Sequence, residues 1–190
     1  MNRTPDSTFR LFFVCTGNQA RSPIAAAWTT RALAGLPLQV GSAGTMPRRP
    51  SPVLAEASAV AFELGLDVAQ HQSSHVSSHD LSSADLVIGF EFQHVAAAVV
   101  EASADAARTF LLKELIRLAQ EVPSLPHPDP LVRARMVIEL AEGLRTNGEH
   151  VPDEEIRDPA GRKHAAFREI VLEVVRACDE MTRMLFGARG

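Results

Sequence analysis

The chain reads as an α/β protein of three layers, a small four-stranded parallel sheet flanked by helices on both faces. Three observations predict it. Short apolar runs at 9–15, 38–42, 85–90 and 108–112 alternate with longer segments whose apolar residues recur at helical spacing. The first strand, helix and second strand fit within ~35 residues, the size of one βαβ unit with a right-handed crossover. The run Asp85 to Phe90 is apolar enough to be buried on both faces, as interior strands of parallel sheets are.

The elements follow in order. Residues 9–15 make the first strand, whose apolar run delivers Cys15 to its carboxyl end. Residues 22–35 make the first helix: Pro23 is preset for a first turn, Ile24, Ala27, Trp28 and residues 31–33 give it an apolar side, and Gly35 ends it. Leu38 to Ser42 is the second strand, and Gly41-Ser42-Ala43-Gly44-Thr45 closes it beside the crevice where ligands of such sheets bind. Met46-Pro47-Arg48-Arg49-Pro50 follows as a pocket rim. Arg48 and Arg49 are placed there to steer an anion, or simply to be solvated. Residues 52–65 are a helix with Val53, Leu54, Ala57, Val60, Ala61 and Leu64 on one face, stopped by Gly65. His71, His75 and His79 stand four apart, but the serines between them make a poor helix interior, so they are not read as a metal stripe. The third strand spans 85–90, an alanine-rich helix 91–101, the fourth strand 108–112, and another helix starts at 113–120. Pro123, Pro126, Pro128 and Pro130 then bar any helix. Helical periodicity resumes over 131–144 through Val132, Met136, Leu140 and Leu144, and Thr146-Asn147-Gly148 ends it. The last helix, 163–186, puts Phe167, Ile170, Val171, Val174, Cys178, Met181 and Leu185 on one face, which makes Cys178 a core residue.

The chemistry concentrates in Cys15-Thr16-Gly17-Asn18-Gln19-Ala20-Arg21-Ser22. Gly17 and Asn18 tolerate positive φ, so the chain can turn tightly there. Consecutive backbone N–H groups in such a loop form an anion-binding concavity, and the following helix start adds partial positive charge. Arg21 supplies a planar, bidentate partner for phosphate-like oxygens. The same field favours the thiolate of Cys15 and makes it a nucleophile beneath a bound tetrahedral anion.

This loop resembles the Cys-x5-Arg-Ser/Thr phosphate-binding loop of the low-molecular-weight protein tyrosine phosphatases. Gly41 to Thr45, His71-Gln72-Ser73, Ala84 to Ile88 and Asp158-Pro159-x-Gly161 match in the family's order. The resemblance implies the fold already read, and one domain over 1–190 with an insertion around 121–152 near the site mouth. A partner surface, a substrate lid and local packing stay open for that insertion. The resemblance also implies a Ser42–Asn18 hydrogen bond, and gives His71 the task of supporting the loop from behind. Two Asp-Pro pairs compete to supply an acid, Asp129-Pro130 and Asp158-Pro159. Asp158 is chosen because Gly161 and the terminal helix follow it, as in the family.

The activity so implied is cysteine-dependent phosphomonoester hydrolysis, of phosphotyrosine proteins or small phosphomonoesters. Cys15 attacks phosphorus, Arg21 and the N–H groups of 16–22 hold the oxygens, Asp158 handles the leaving-group proton, and Ser22 assists the sulfur. No metal or other cofactor is implied. Two departures from the family stand out. Ala20 replaces the second loop cysteine that can form a protective disulfide, and Ala160 replaces the aromatic residues that follow the acid. The alternatives are an arsenate reductase of the same fold using an external small thiol, and a non-catalytic phosphate-binding module.

The bulk numbers set limits. At 190 residues the chain suits one domain with a full core, and a net charge of −4 argues against a nucleic-acid partner. No apolar run approaches the ~20 residues that cross a bilayer, and Met1 to Thr8 lack a signal peptide's apolar segment. Two distant cysteines make no secreted disulfide framework, and a free nucleophilic thiol points to the cytoplasm. Oligomeric state is left open.

Overall fold

A computed structural model describes residues 8–46, 49–145 and 153–187. Four strands, β1 (Phe9–Cys15), β2 (Leu38–Gly44), β3 (Leu86–Gly89) and β4 (Thr109–Leu111), form one sheet. Its order is β2-β1-β3-β4 and every pairing is parallel. The helices are α1 (Arg21–Ala32), α2 (Ala55–Glu63), α3 (Phe92–Ala102), α4 (Leu112–Glu121), α5 (Pro130–Gly143) and α6 (His164–Phe186). The predicted three-layer class is the observed one.

Side-chain alternation along β1 explains the layers. Phe9, Leu11 and Phe13 enter the main core with Ile88 and Phe110 of the sheet, Leu115 of α4, Ala134 of α5 and Cys178 of α6. Val14 points to the other face, joining Val87 and the alanines of α3, Ala97 and Ala98. A third cluster seals α1, α2 and α6 through Ile24, Val60 and Val171. Phe12 lies across Gly41, its partner on β2, and a Cβ at Gly41 would fall on the Phe12 ring. Chain direction reverses its order at β1, so Cys15 ends at the topological switch point, where ligands of open α/β sheets bind.

Three expectations need correction. Strand β2 runs on to Gly44, because Ala43 and Gly44 continue the register with Val14 and Cys15. Helix α5 buries Leu131, Ala134, Val137, Ile138 and Ala141, whereas Met136, Leu140 and Leu144 are exposed. Both stripes are apolar, and the buried one contains the small alanines that allow close helix approach. Helix α5 also lies away from the site mouth. Arg135 pairs with Asp85 at 3.0 Å and reaches Thr8 O, both at the amino ends of strands, opposite Cys15. Pro47, Arg48 and the 146–152 part of the expected insertion fall outside the described residues. The three histidines part company: His75 accepts from Ser77 N, His79 meets Ser74 Oγ and the Phe12 ring, and His71 turns to the loop. Among the described residues, no helix is long and apolar enough to cross a membrane.

Candidate active site

The 15–22 loop is built around Asn18. Its φ of 52° turns the chain, so the left-handed position falls on Asn18; Gly17 is not among the positive-φ glycines. Asparagine tolerates this conformation because its short polar side chain bonds locally. The turn aims Asn18 N–H at Cys15 Sγ, 3.2 Å away. Ser22 Oγ lies 3.0 Å from the same sulfur. Asn18 itself is fully buried and satisfied. Its Nδ2 donates to Ser22 Oγ at 2.9 Å and Ser42 Oγ at 3.0 Å, its Oδ1 accepts from Ser74 N, and its carbonyl lies 2.8 Å from His71 Nε2. Backbone bonds from Thr45 N to Cys15 O, Met46 N to Thr16 O and Leu54 N to Gln19 O stitch the loop to the segment after β2. Cys15 is only 2% exposed, so the sulfur forms the floor of the loop, and Thr16, Gly17 and Gln19 stand half-buried around it.

Arg21, in the first turn of α1, is 1% exposed and packed over the Phe90 ring at 5.9 Å. Its Nη1 donates to Ile156 O at 2.7 Å and faces Glu91 Oε1 at 3.2 Å. Its Nη2 donates to Thr16 Oγ1 at 2.9 Å and pairs with Asp158 Oδ2 at 2.9 Å. A buried guanidinium is tolerable because two carboxylates and two neutral acceptors surround it.

The two Asp-Pro pairs separate cleanly. Asp129 caps α5, its Oδ1 accepting from Leu131 N and Val132 N. Asp158 lies beside Arg21, on a segment moored by Ile156 N to Phe90 O at 2.7 Å, Phe92 N to Glu155 Oε1 and Arg117 Nε to Glu154 Oε1 at 2.7 Å. Cys15, Thr16, Asn18, Arg21, Ser22, Ser42, His71 and Asp158 thus form one connected constellation. Gln19 belongs to its rim, its Nε2 donating outward to Pro52 O.

Sequence reasoning missed two residues here, Glu91 and His94. His94 is fully buried, with Nε2 3.0 Å from Thr16 Oγ1 and Nδ1 accepting from Glu91 N at 3.0 Å. Burial first, then the Arg21 charge, pushes its pKa down to about 4, so the ring is neutral near pH 7. The available signal was a Glu-x-x-His pair spanning the first turn of the helix after β3, the spacing of a reciprocal cap. Cys178 is enclosed in the core, and burial pushes its thiol up.

A cysteine whose sulfur accepts a backbone N–H, in one loop with a buried arginine at the switch point of a parallel sheet, places this chain among α/β proteins whose crevice lies at the carboxyl ends of the strands. The low molecular weight phosphotyrosine protein phosphatase profile matches residues 10–142, and the chain belongs to that family. Arsenate reductase 2 of Staphylococcus haemolyticus is 35% identical over 78 residues, 41% of this chain and 56% of that protein, so the match spans little more than half of that relative. A protein-arginine-phosphatase of Geobacillus stearothermophilus is 33% identical over 109 residues, 57% of this chain and 72% of that protein. The crystal structure of a low molecular weight protein tyrosine phosphatase from T. tengcongensis shares the fold, with a TM-score of 0.62 and 24% identity over 90% of this chain and 96% of that one.

Proposed function

We propose that the protein is a metal-independent phosphomonoester hydrolase acting on phosphotyrosine in proteins and on small phosphomonoesters, through a phosphocysteine intermediate. The observation that carries this reading is the pairing with Asp158 of Arg21, six residues along the same loop from a Cys15 sulfur that accepts the Asn18 N–H. In the first step Cys15 Sγ bonds to phosphorus as the bond to the leaving oxygen breaks, and Asp158 gives that oxygen its proton. Water then attacks the same phosphorus, the phosphorus–sulfur bond breaks, and Asp158 takes the water's proton. Loop N–H groups and Arg21 hold the equatorial oxygens, a charge-stabilising task that metal ions perform in other phosphoryl transferases. Ser22 Oγ, 3.0 Å from Sγ, supports the sulfur as it leaves as thiolate.

Hydrolysis of p-nitrophenyl phosphate and of a phosphotyrosine peptide, with chelator present, tests the reading. Cys15→Ser abolishes turnover, and Asp158→Asn lowers kcat by roughly 10²–10⁴. Wild-type turnover by Cys15→Ser overturns it.

A second reading, arsenate reduction with an external small thiol, draws support from the similarity to the Staphylococcus reductases. The chain has two cysteines, the second buried in the core, which weighs against a reductase that passes oxidation along further cysteines, whereas one using an external small thiol needs only Cys15. Arsenate-dependent consumption of a small thiol, in the absence of phosphoester cleavage, would select this reading. Phosphoarginine belongs in the same assay because of the arginine-phosphatase relative.

A further inference from the structure

We propose that Glu91 and His94 are positioning residues for Arg21, fixing through Thr16 and a direct ion pair which guanidinium hydrogens face the phosphoryl group. The inference rests on the phosphatase reading above and deepens it.

The hydrogen-bond arithmetic leaves little freedom. Glu91 N–H donates to His94 Nδ1, so that nitrogen presents its lone pair and the ring proton sits on Nε2. Nε2–H then donates to Thr16 Oγ1 at 3.0 Å, the nearer of its two acceptors, with Glu91 Oε2 at 3.4 Å. The same oxygen accepts from Arg21 Nη2 at 2.9 Å, so both of its lone pairs are used. Glu91 Oε1 holds Arg21 Nη1 at 3.2 Å, and Glu91 Oε2 accepts from Gln93 Nε2 at 2.9 Å. Ile156 O takes the other Nη1 hydrogen. Three of the four Nη hydrogens are therefore committed to Ile156, Glu91 and Thr16. The fourth lies on Asp158, whose side chain is 36% exposed, the most accessible of Arg21's partners. The fifth guanidinium hydrogen is on Nε, beside Nη2. A phosphoryl group thus meets one edge of the guanidinium, Nε–H and the Nη2–H shared with Asp158, in the parallel geometry of bidentate arginine–phosphate recognition. Remove the His94 donor and Thr16 is free to rotate, Arg21 loses one of its three fixed points, and the edge is no longer presented in register.

The expected signature differs from that of a residue that only stabilises the core. Calorimetry of inorganic phosphate and kinetics on p-nitrophenyl phosphate are compared for wild type, His94→Phe, Thr16→Val, the double variant, His94→Gln and Thr16→Ser. His94→Phe and Thr16→Val each raise the phosphate Kd and KM roughly 10-fold, the worth of one lost charge-assisted hydrogen bond. The double variant is no worse than either single one, because both cut the same link. His94→Gln, which keeps a donor near the Nε2 position, and Thr16→Ser, which keeps the acceptor, restore most of the affinity. If His94→Phe fails to fold, Thr16→Val at its half-buried position carries the comparison. An active wild type whose phosphate Kd and KM are unmoved by these changes, or whose two losses add, overturns the positioning role. A wild type with no Cys15-dependent hydrolysis overturns the phosphatase reading instead, and the phosphate Kd series still decides whether the network orients Arg21.

Discussion

At the scale of single residues, two cysteines with opposite surroundings give the sharpest contrast. Cys15 sits under a loop N–H and beside a serine hydroxyl, whereas Cys178 is enclosed among Phe9, Val174 and Met181. Iodoacetamide on the folded protein is expected to modify Cys15 and spare Cys178, read by peptide mass mapping; bound phosphate should slow the reaction. His94 supplies a pH prediction. Its folded value of about 4 lies below the ordinary 6.5, so between those pH values the unfolded chain binds a proton that the folded protein refuses. Its contribution to stability is complete above pH 6.5 and is lost as the pH falls toward 4. Between pH 7 and pH 5 the wild type should lose roughly 2 kcal/mol more than His94→Gln, measured from urea midpoints. The contrast between the cysteines was legible along the chain, but the His94 contact was not, because Thr16 and His94 are 78 residues apart and meet only when β1 and β3 pair. The loop itself was legible, since its turn, its sulfur and its arginine lie within eight consecutive residues.

At the scale of elements, the two Asp-Pro segments make a matched pair of tests. Asp129→Ala removes the cap of α5 and should cost about 1 kcal/mol with turnover unchanged. Asp158→Asn should lower kcat instead, at a stability cost limited by the amide oxygen that still accepts from Arg21 Nη2. Thermal melts and initial rates on both variants check this. The segment carrying Asp158 is moored by the Arg117–Glu154 pair, and that carboxylate is 8% exposed. Arg117→Met leaves it without its partner, so a loss of roughly 1–3 kcal/mol together with a lower kcat is expected. Helix α5 shows where pattern reading fails. Its sequence offers two apolar stripes, and periodicity alone cannot rank them. The packing surface of α4 and α6 accepts the one lined by Ala134 and Ala141. The strands were easier, because β3 is apolar on both faces, β1 carries an apolar run to Cys15, and turn residues bound them.

At the scale of the whole molecule, one guanidinium joins the two ends of the sequence. Arg21 is set by the first βα turn, yet Nη1 holds Ile156 O across 135 residues and Nη2 holds Asp158. During synthesis the Cys15–Ser22 turn emerges early and the Asp158 carboxylate emerges late. The nascent chain therefore has the loop long before it has Asp158, and Arg21 has Thr16 and Glu91 to meet but lacks Ile156 O and Asp158 until the carboxyl-terminal portion docks. Completion of the fold and completion of the proposed reaction centre become a single event, registered by the same side chain. Replacing Arg21 with lysine, which lacks the planar fork, would then weaken the grip on the substrate and the latch on the late-arriving segment together.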